Sequence, residues 1–273
     1  MTVSTAGRIG ALRTGWAFMW LDIITDLSYP MTLLFRELSS VLSILIYYFV
    51  ARLVPNGSFG GDYFTTAAVG LATAATLQAA LSGFGGRLQE VQDRGNLETL
   101  LVEPIRWTMI PFALNIWRTV VGFFSGAVML LTAAALGANF SLGGLPRFCA
   151  VLLLSTGTCM GIGLLSASLL VLSKRSQPVL ILYGMAASLL GGALFPVSVM
   201  PGWLQALSHA VPHRYAIEGT RAALMEAPPA GAPGLAETLV VLLVFNVVVF
   251  CVGRWTFSRA LQYARHMGLL SGY

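Results

Sequence analysis

The residue types that most often carry catalysis or bind metals are few in this chain. It has three cysteines, three histidines and one lysine, Lys174. Cys149, Cys159 and Cys251 form neither a CxxC motif nor a Cys/His spacing suited to zinc, and we expect them to pack inside apolar segments. Lys174 follows Leu-Ser, where a phosphate-binding GxxxxGK(S/T) loop would have glycine. The sequence therefore predicts no metal site and no ATP site on this chain.

The histidines do not complete a hydrolytic site either. His209, His213 and His266 have no serine or cysteine nucleophile on a recognisable strand-to-helix elbow. We therefore predict that the chain has no catalytic residue and carries no cofactor of its own.

Charge is most concentrated in the segment Gly85–Trp107, GGRLQEVQDRGNLETLLVEPIRW, which holds seven charged residues between two apolar runs. Apolar residues at helical spacing form one stripe along it: Leu88, Val91, Leu97, Leu100 and Leu101. Charged residues face away from that stripe: Glu90, Asp93, Arg94 and Glu98. Gly95 is expected to divide the segment into two short helices, and Pro104 to end the second. A polar partner is therefore expected to dock here.

The stretch Glu90–Pro104, EVQDRGNLETLLVEP, resembles the E-x-x-x-R-G-T-L-E-x-L-L-x-x-P signature of ABC-2-type exporter permeases. The resemblance implies a coupling helix within residues 85–106, between the second and third spans, that inserts into a cleft of a separate ATPase subunit. It assigns this contact to Glu90, Arg94, Gly95, Leu97, Glu98, Leu101 and Pro104. Asn96 replaces the threonine usual in the family, a change that alters a helix cap without removing it. The alternative is a charged loop that only orients the chain in the membrane.

A second resemblance lies in residues 192–221, which are similar to the F-P-x-x-x-x-P-x-W-L-x-x-L…P…R pattern of the same family. In such permeases this region forms short re-entrant helices that close the pathway on the extracellular side, which we expect for residues 196–222. The gate residues implied are Phe195, Pro196, Pro201, Trp203, Leu207, Tyr215, Glu218 and Arg221. An ordinary extracellular loop with an interfacial helix is the alternative.

The residues of this second segment carry physical expectations of their own. Prolines interrupt it at positions 196, 201 and 212, so no uninterrupted span fits there. Its polar-tipped rings suit a membrane interface: Trp203, His209, His213 and Tyr215. Glu218 and Arg221 are one helical turn apart and are expected to pair at the surface.

The resemblance covers nearly the whole chain, including the Ser28-Tyr29-Pro30 bend before the first span. It implies one transmembrane domain over residues 1–273 that works as a dimer, either of two copies or of one copy with a related permease. Two ATP-binding cassette subunits beneath the dimer would bind ATP and Mg²⁺, and membrane lipids would surround it. The implied substrate is hydrophobic or amphipathic, such as a lipid, glycolipid, polysaccharide or drug-like molecule, and it leaves the cytoplasm.

Composition independently requires a membrane, because 273 residues that are 56% hydrophobic and 10% charged cannot cover one soluble core with a polar surface. Uncharged runs near or above about 18 residues predict spans. We place six of them at Leu38–Val54, Phe64–Phe84, Trp107–Leu136, Phe148–Leu172, Pro178–Phe195 and Thr238–Trp255. The expected fold is an all-α membrane protein with six transmembrane helices, an N-terminal interfacial helix, a coupling helix and short re-entrant helices.

The residues before the first span predict a helix on the membrane surface. Arg8, Arg13, Asp22 and Asp26 interrupt any continuous apolar core, so a cleavable signal peptide is not expected within Met1–Ser28. Apolar residues at spacings of three and four predict an amphipathic helix within residues 1–30: Ile9, Leu12, Trp16, Met19, Trp20, Ile23 and Leu27. An ordinary soluble cap helix is the alternative.

Basic residues set the orientation, because cytoplasmic loops retain arginine and lysine. With the N-terminus inside, twelve basic residues lie toward the cytoplasm and four lie outside, namely Arg52, Arg147, Arg214 and Arg221. This asymmetry predicts that both termini lie in the cytoplasm, and the family resemblance implies that the membrane is the bacterial inner membrane. It also accounts for the net charge of +5, so no nucleic-acid partner is expected.

Polar residues at membrane depth are costly in lipid and are expected to face protein or water. Gln78 and Asn246 are therefore candidates to line a substrate pathway, and Glu37 is expected to neutralise Arg118. Small residues at spacings of four mark close packing within one subunit or between two: Gly157 with Gly161, and Gly184, Ser188 and Gly192. Acidic residues collect at loops and span edges, which disfavours the alternative function, a secondary transporter or channel without an ATPase.

Overall fold

The computed structural model of the chain describes residues 16, 19–53, 62–93, 110–173, 177–225 and 234–266. Within these ranges all regular structure is helical, as expected of an all-α membrane protein. Residues 19–28 are helical. The α-helices that follow are α1 (Pro30–Ala51), α2 (Tyr63–Asp93), α3 (Ile110–Ala135), α4 (Leu145–Ser173), α5 (Gln177–Leu190), α6 (Gly202–Ser208), α7 (Pro212–Leu224) and α8 (Leu235–His266). Short 3₁₀ helices, Leu142–Gly144 and Val197–Val199, precede α4 and α6.

Within the described ranges, five helices are long and apolar enough to cross a membrane. They are α1, α2 as far as Gly83, α3 from Asn115, α4 with the 3₁₀ helix before it, and α8 as far as Ala260. These helices correspond to the first four predicted spans and to the sixth. The chain is therefore a multi-pass membrane protein.

The fifth predicted span, Pro178–Phe195, is only partly helical. α5 ends at Leu190 after 14 residues, which is about 21 Å of helix and less than the ~30 Å of a hydrocarbon core. Gly192 adopts φ 72°, a left-handed conformation that glycine accepts because it has no Cβ. The predicted end at Phe195 was wrong because this glycine turns the chain out of the helix.

The helical segment 19–28 lies against α3 through an acidic side chain. Asp26 Oδ2 accepts a hydrogen bond from Trp117 Nε1 at 2.7 Å. The apolar side chains Trp20 and Leu27 point away from the protein and are 53% and 65% exposed. An apolar outer face is what a helix at the border of headgroups and acyl chains requires. The part of the expected amphipathic helix before residue 19 lies outside the described residues, apart from Trp16, which is exposed.

α2 is the central helix of the fold. Of its apolar window, 78% is buried, compared with 6% for α1 and 11% for α8. Its buried side chains are mostly small, among them Thr65, Thr66, Ala67, Ala68, Ala72, Thr73, Thr76 and Ala80. Small side chains allow neighbouring backbones to approach closely. α3, α4, α5 and α7 all pack around α2 as a result.

The most extensive contact between two helices of the described chain joins α4 to α8. A Cβ added to Gly161 would lie 2.9 Å from Val249 Cγ1, and one added to Gly157 would lie 2.5 Å from Asn246 Nδ2. Asn246 Nδ2 also donates a hydrogen bond to Leu154 O at 3.0 Å. Packing within one subunit therefore explains Gly157 and Gly161.

Glu37 does not pair with Arg118 as the sequence predicted. Glu37 Oε1 accepts hydrogen bonds from Ser125 Oγ at 2.7 Å and from Arg36 Nε at 3.3 Å. Arg118 is exposed, and it lies two turns, about 10 Å along α3, from Ser125. The prediction was wrong because Arg36 and Ser125 lie closer to the carboxylate.

Candidate functional site

The segment between α5 and α8 contains two short helices instead of a span. α6 has 7 residues and α7 has 13. Pro201 is the N-cap of α6, and Pro212 occupies the first turn of α7, where a missing N–H costs little. The residues predicted to be re-entrant, 196–222, therefore form helices that are too short to cross a bilayer.

The two short helices differ in burial. On α6, Trp203 and Leu207 are 67% and 52% exposed. Ten residues of α7 are buried, and this helix packs among α2, α4, α5 and α8. α7 nevertheless has a polar composition, PHRYAIEGTRAAL. Its polar groups are therefore held inside the protein, where they require partners.

Arg221 is the largest fully buried side chain among the described residues, with 0% exposure. Its Nε donates to Thr66 O on α2 at 3.0 Å, and its Nη2 donates to Ala193 O at 2.9 Å. Burial lowers the pKa of Arg221 to about 10, which leaves the guanidinium charged at neutral pH. Arg221 therefore joins α7 to α2 and to the turn that follows α5.

One face of α2 accommodates this contact. A Cβ at Gly70 would overlap both the guanidinium of Arg221 and the Ala193 carbonyl that it binds. Close to it on the same face, Thr73 Oγ1 and Thr220 Oγ1 share a hydrogen bond at 2.9 Å. Thr66, Gly70 and Thr73 follow one another at spacings of four and three, so they lie on one side of the helix. We call these three residues the α7 seat.

Glu218 pairs with Arg214, not with Arg221 as the sequence predicted. Glu218 Oε2 lies 3.2 Å from Arg214 Nε, one turn earlier on α7. Burial raises the pKa of Glu218, and the charge of Arg214 and its hydrogen bond oppose that shift. The prediction was wrong because Arg221 points inward to the α7 seat, which sequence spacing alone does not reveal.

His213 lies inside the protein, and the prediction that it lies at a membrane interface was wrong. It is 1% exposed, and its ring meets the Tyr183 ring edge-on with 5.8 Å between centroids. Its Nε2 is 3.9 Å from Cys159 Sγ. Burial lowers the pKa of His213 to about 4, so the ring is neutral at physiological pH. The neighbouring Trp203 and His209 are exposed, and their interfacial role stays a prediction.

Comparison with known families identifies the kind of protein in which α7 packs against α2. A family model described as ABC-2 type transporter matches residues 15–225. The chain belongs to the ABC-2 type transporter family. It is the membrane component of an ABC transporter, a type of subunit that works with an ABC ATPase and is not itself catalytic. In the comparison with individual curated proteins, none matched this ABC-2 permease.

The predicted coupling residues of the ABC-2 permease fall at the edge of the described chain. The α2 backbone is helical through residues 84–93, beyond the end of its apolar window at Gly83. The backbone of Glu90 lies on this extension. Six further residues, Arg94, Gly95, Leu97, Glu98, Leu101 and Pro104, lie outside the described residues altogether. Their contact with the ATPase stays a prediction.

The two pathway candidates occupy contacts between helices in the described chain. A Cβ at Gly184 of α5 would overlap Gln78 Oε1, so Gln78 fills the space that this glycine leaves. Asn246 binds Leu154 O, as described above, and remains part-exposed. Their lining of a transport pathway stays a prediction. Among the described residues, no group of three or more histidine, cysteine or acidic side chains is placed to hold a metal ion.

The α7 seat and the direction of Arg221 were not predicted from the sequence. The available signal was the spacing of Thr66, Gly70 and Thr73, which sets small or hydroxyl-bearing residues on one side of an apolar helix. That pattern indicates a close neighbour. It does not identify the neighbour, because α7 follows α2 by more than one hundred residues in the chain.

Proposed function

We propose that this ABC-2 permease exports a hydrophobic or amphipathic substrate, such as a lipid, glycolipid, polysaccharide or drug-like molecule, from the cytoplasm. In this proposal it spans the bacterial inner membrane with both termini in the cytoplasm. It acts as a dimer of permeases on two ATPase subunits, which bind ATP and Mg²⁺. The observation that carries the proposal is the family match, since residues 15–225 include both the coupling sequence and α7.

α2 offers a physical route from ATP hydrolysis to the gate. It is continuous over 31 residues, or about 46 Å. Residues 84–93 overlap the predicted coupling segment, residues 85–106, while the α7 seat lies near the other end of the helix. A displacement of the coupling segment by the ATPase would therefore move the surface to which Arg221 binds. In this proposal, α7 leaves the α7 seat when the pathway opens to the outside.

The coupling assignment is tested by replacing Glu90, Arg94 and Glu98 together with alanine. Because these charges are proposed to contact the ATPase, we expect binding to be about thirtyfold weaker, since truncating one partner of a buried interfacial charge pair costs ~2 kcal/mol or more. The measurement is co-purification of the ATPase with the tagged permease from membranes, with ATP turnover of the recovered complex as a second readout.

The matched control carries Arg147→Ala and Glu237→Ala, two exposed charges on the opposite predicted side of the membrane. This control is expected to retain the ATPase. Undiminished co-purification and turnover in the triple variant would remove the coupling assignment. Absence of any ATPase from the wild-type complex would contradict the proposed function itself.

The proposed orientation is tested by cysteine labelling in intact cells. Cys149, Cys159 and Cys251 are first replaced with alanine, and single cysteines are then introduced at Ser58 and Ser176. We expect a membrane-impermeant maleimide to label Ser58→Cys directly and Ser176→Cys only after permeabilisation, because basic residues are retained on the cytoplasmic side. Labelling of Ser176→Cys but not of Ser58→Cys in intact cells would reverse the orientation.

A further inference from the structure

A groove of about 840 Å³ lies between the final turns of the described part of α4 and the C-terminal half of α8. Leu165 and Leu169 line it from α4. Trp255, Arg259 and Tyr263 line it from α8, and their spacing of four sets them in one row. None of the described side chains that line the groove is acidic. The groove therefore combines an apolar wall with a single type of charge.

The end of the apolar part of α8 predicts that the groove lies at the depth where hydrocarbon meets headgroups. The apolar window of α8 ends at Ala260, so Arg259 and Tyr263 flank its end. Tyr263 and Trp255 are 51% and 62% exposed, as in the aromatic belts of membrane proteins. The guanidinium of Arg259 lies 5.8 Å from the centroid of the Trp255 ring, within range of a cation–π interaction.

Arg259 is the only charged side chain among the described residues that line the groove. The hydroxyls of Ser168 and Thr256 also line it, but both donate hydrogen bonds to backbone carbonyls of their own helices. A phosphate in the groove would therefore be held by the charge of Arg259. An acyl chain below it would meet Leu165 and Leu169, along the direction in which lipid tails run.

We propose that this groove binds one anionic phospholipid, with the phosphate at Arg259 and one acyl chain along Leu165 and Leu169. Charge complementarity selects the lipid: an anionic headgroup is attracted by Arg259. A zwitterionic headgroup would also bring an ammonium group, for which the described lining offers no acidic partner. The site lies apart from the coupling segment and from α7, so the inference does not depend on the identity or direction of the transported substrate.

Trp255 supplies a local reporter for this site, because brominated acyl chains quench tryptophan fluorescence on contact. The full-length protein is reconstituted in phosphatidylcholine vesicles with a minority of brominated phosphatidylglycerol or brominated phosphatidylcholine. Subtracting the quenching of the matched Trp255→Phe protein isolates the Trp255 signal. We expect the wild type to prefer phosphatidylglycerol about fivefold, the effect of roughly one basic residue at a membrane surface. Arg259→Gln is expected to abolish this preference.

Arg254→Gln is the matched control, because Arg254 is exposed on the same helix and does not line the groove. It is expected to keep the preference. Equal quenching by the two brominated lipids in the wild type would overturn the proposal. Equal loss of preference in Arg254→Gln and Arg259→Gln would also overturn it, since general surface charge would then explain the effect. Millimolar inorganic phosphate is added as a further test. If it displaces the brominated phosphatidylglycerol, seen as recovery of Trp255 fluorescence, the groove is a site for soluble anions and the lipid assignment is overturned.

Discussion

Replacing Arg221 with methionine is expected to destabilise the permease by about 3 kcal/mol, because two hydrogen bonds from a charged donor are lost and two carbonyls lose that partner. For a protein of this size, that corresponds to a fall of roughly 6 °C in the unfolding midpoint. The measurement is thermal unfolding of the detergent-purified protein followed by size-exclusion chromatography. ATP turnover of the complex with its ATPase provides the functional readout.

Two comparison variants separate the buried contact from loss of charge in general. Arg147→Met removes an exposed arginine and is expected to shift the midpoint very little. Arg221→Lys keeps the charge but cannot reach Thr66 O and Ala193 O with the same forked geometry, so an intermediate midpoint is expected. An unchanged midpoint and unchanged turnover in Arg221→Met would contradict a structural role for the α7 contact.

Joining α7 covalently to α2 is expected to stop transport. The hydroxyl oxygens of Thr73 and Thr220 are 2.9 Å apart, so cysteines at these two positions lie within reach of a disulfide. In a variant without the three native cysteines, oxidation of this pair is expected to bring ATP-dependent transport to background, because α7 can no longer leave the α7 seat. The measurements are transport and ATP turnover before and after oxidation.

Reduction of the disulfide is expected to restore activity, and each single-cysteine variant treated with the same oxidant is expected to remain active. These controls distinguish the cross-link from the two substitutions. Full transport by a completely cross-linked protein would mean that α7 stays on α2 throughout the cycle, and it would remove α7 from the proposed gate.

Most spans were predictable because membrane depth imposes one strong requirement, a long run of apolar residues. α4 and α8 therefore lie where their apolar runs indicated. The end of α5 was not predictable in the same way. Gly191 and Gly192 are compatible with an apolar helix in sequence, but in the structure Gly191 packs against His213 and Ile217 of α7 and Gly192 has a positive φ. A hydropathy profile averages neighbouring residues along the sequence, so it does not represent contacts between distant helices.

The short helices between α5 and α8 were predictable, but the contacts that α7 makes were not. Pro196, Pro201 and Pro212 correctly predicted that no continuous span fits between α5 and α8. The partners of Glu218 and Arg221 depend on the direction in which α7 faces. Periodicity assigns polar residues to an outer surface, as in a water-soluble protein. In α7 the side chain of Arg221 turns inward, where backbone carbonyls of α2 and of the turn after α5 accept its hydrogen bonds.

The early end of α5 also changes the outer apolar surface of the protein. α5 exposes Leu182, Met185 and Leu189 to its surroundings, but its own surface ends after about 21 Å. α6 continues the exposed apolar surface with Trp203 and Leu207, and it does so with a seven-residue helix that follows a turn. The surface that α1 or α8 provides with one long helix is therefore built here from two short helices joined by a turn.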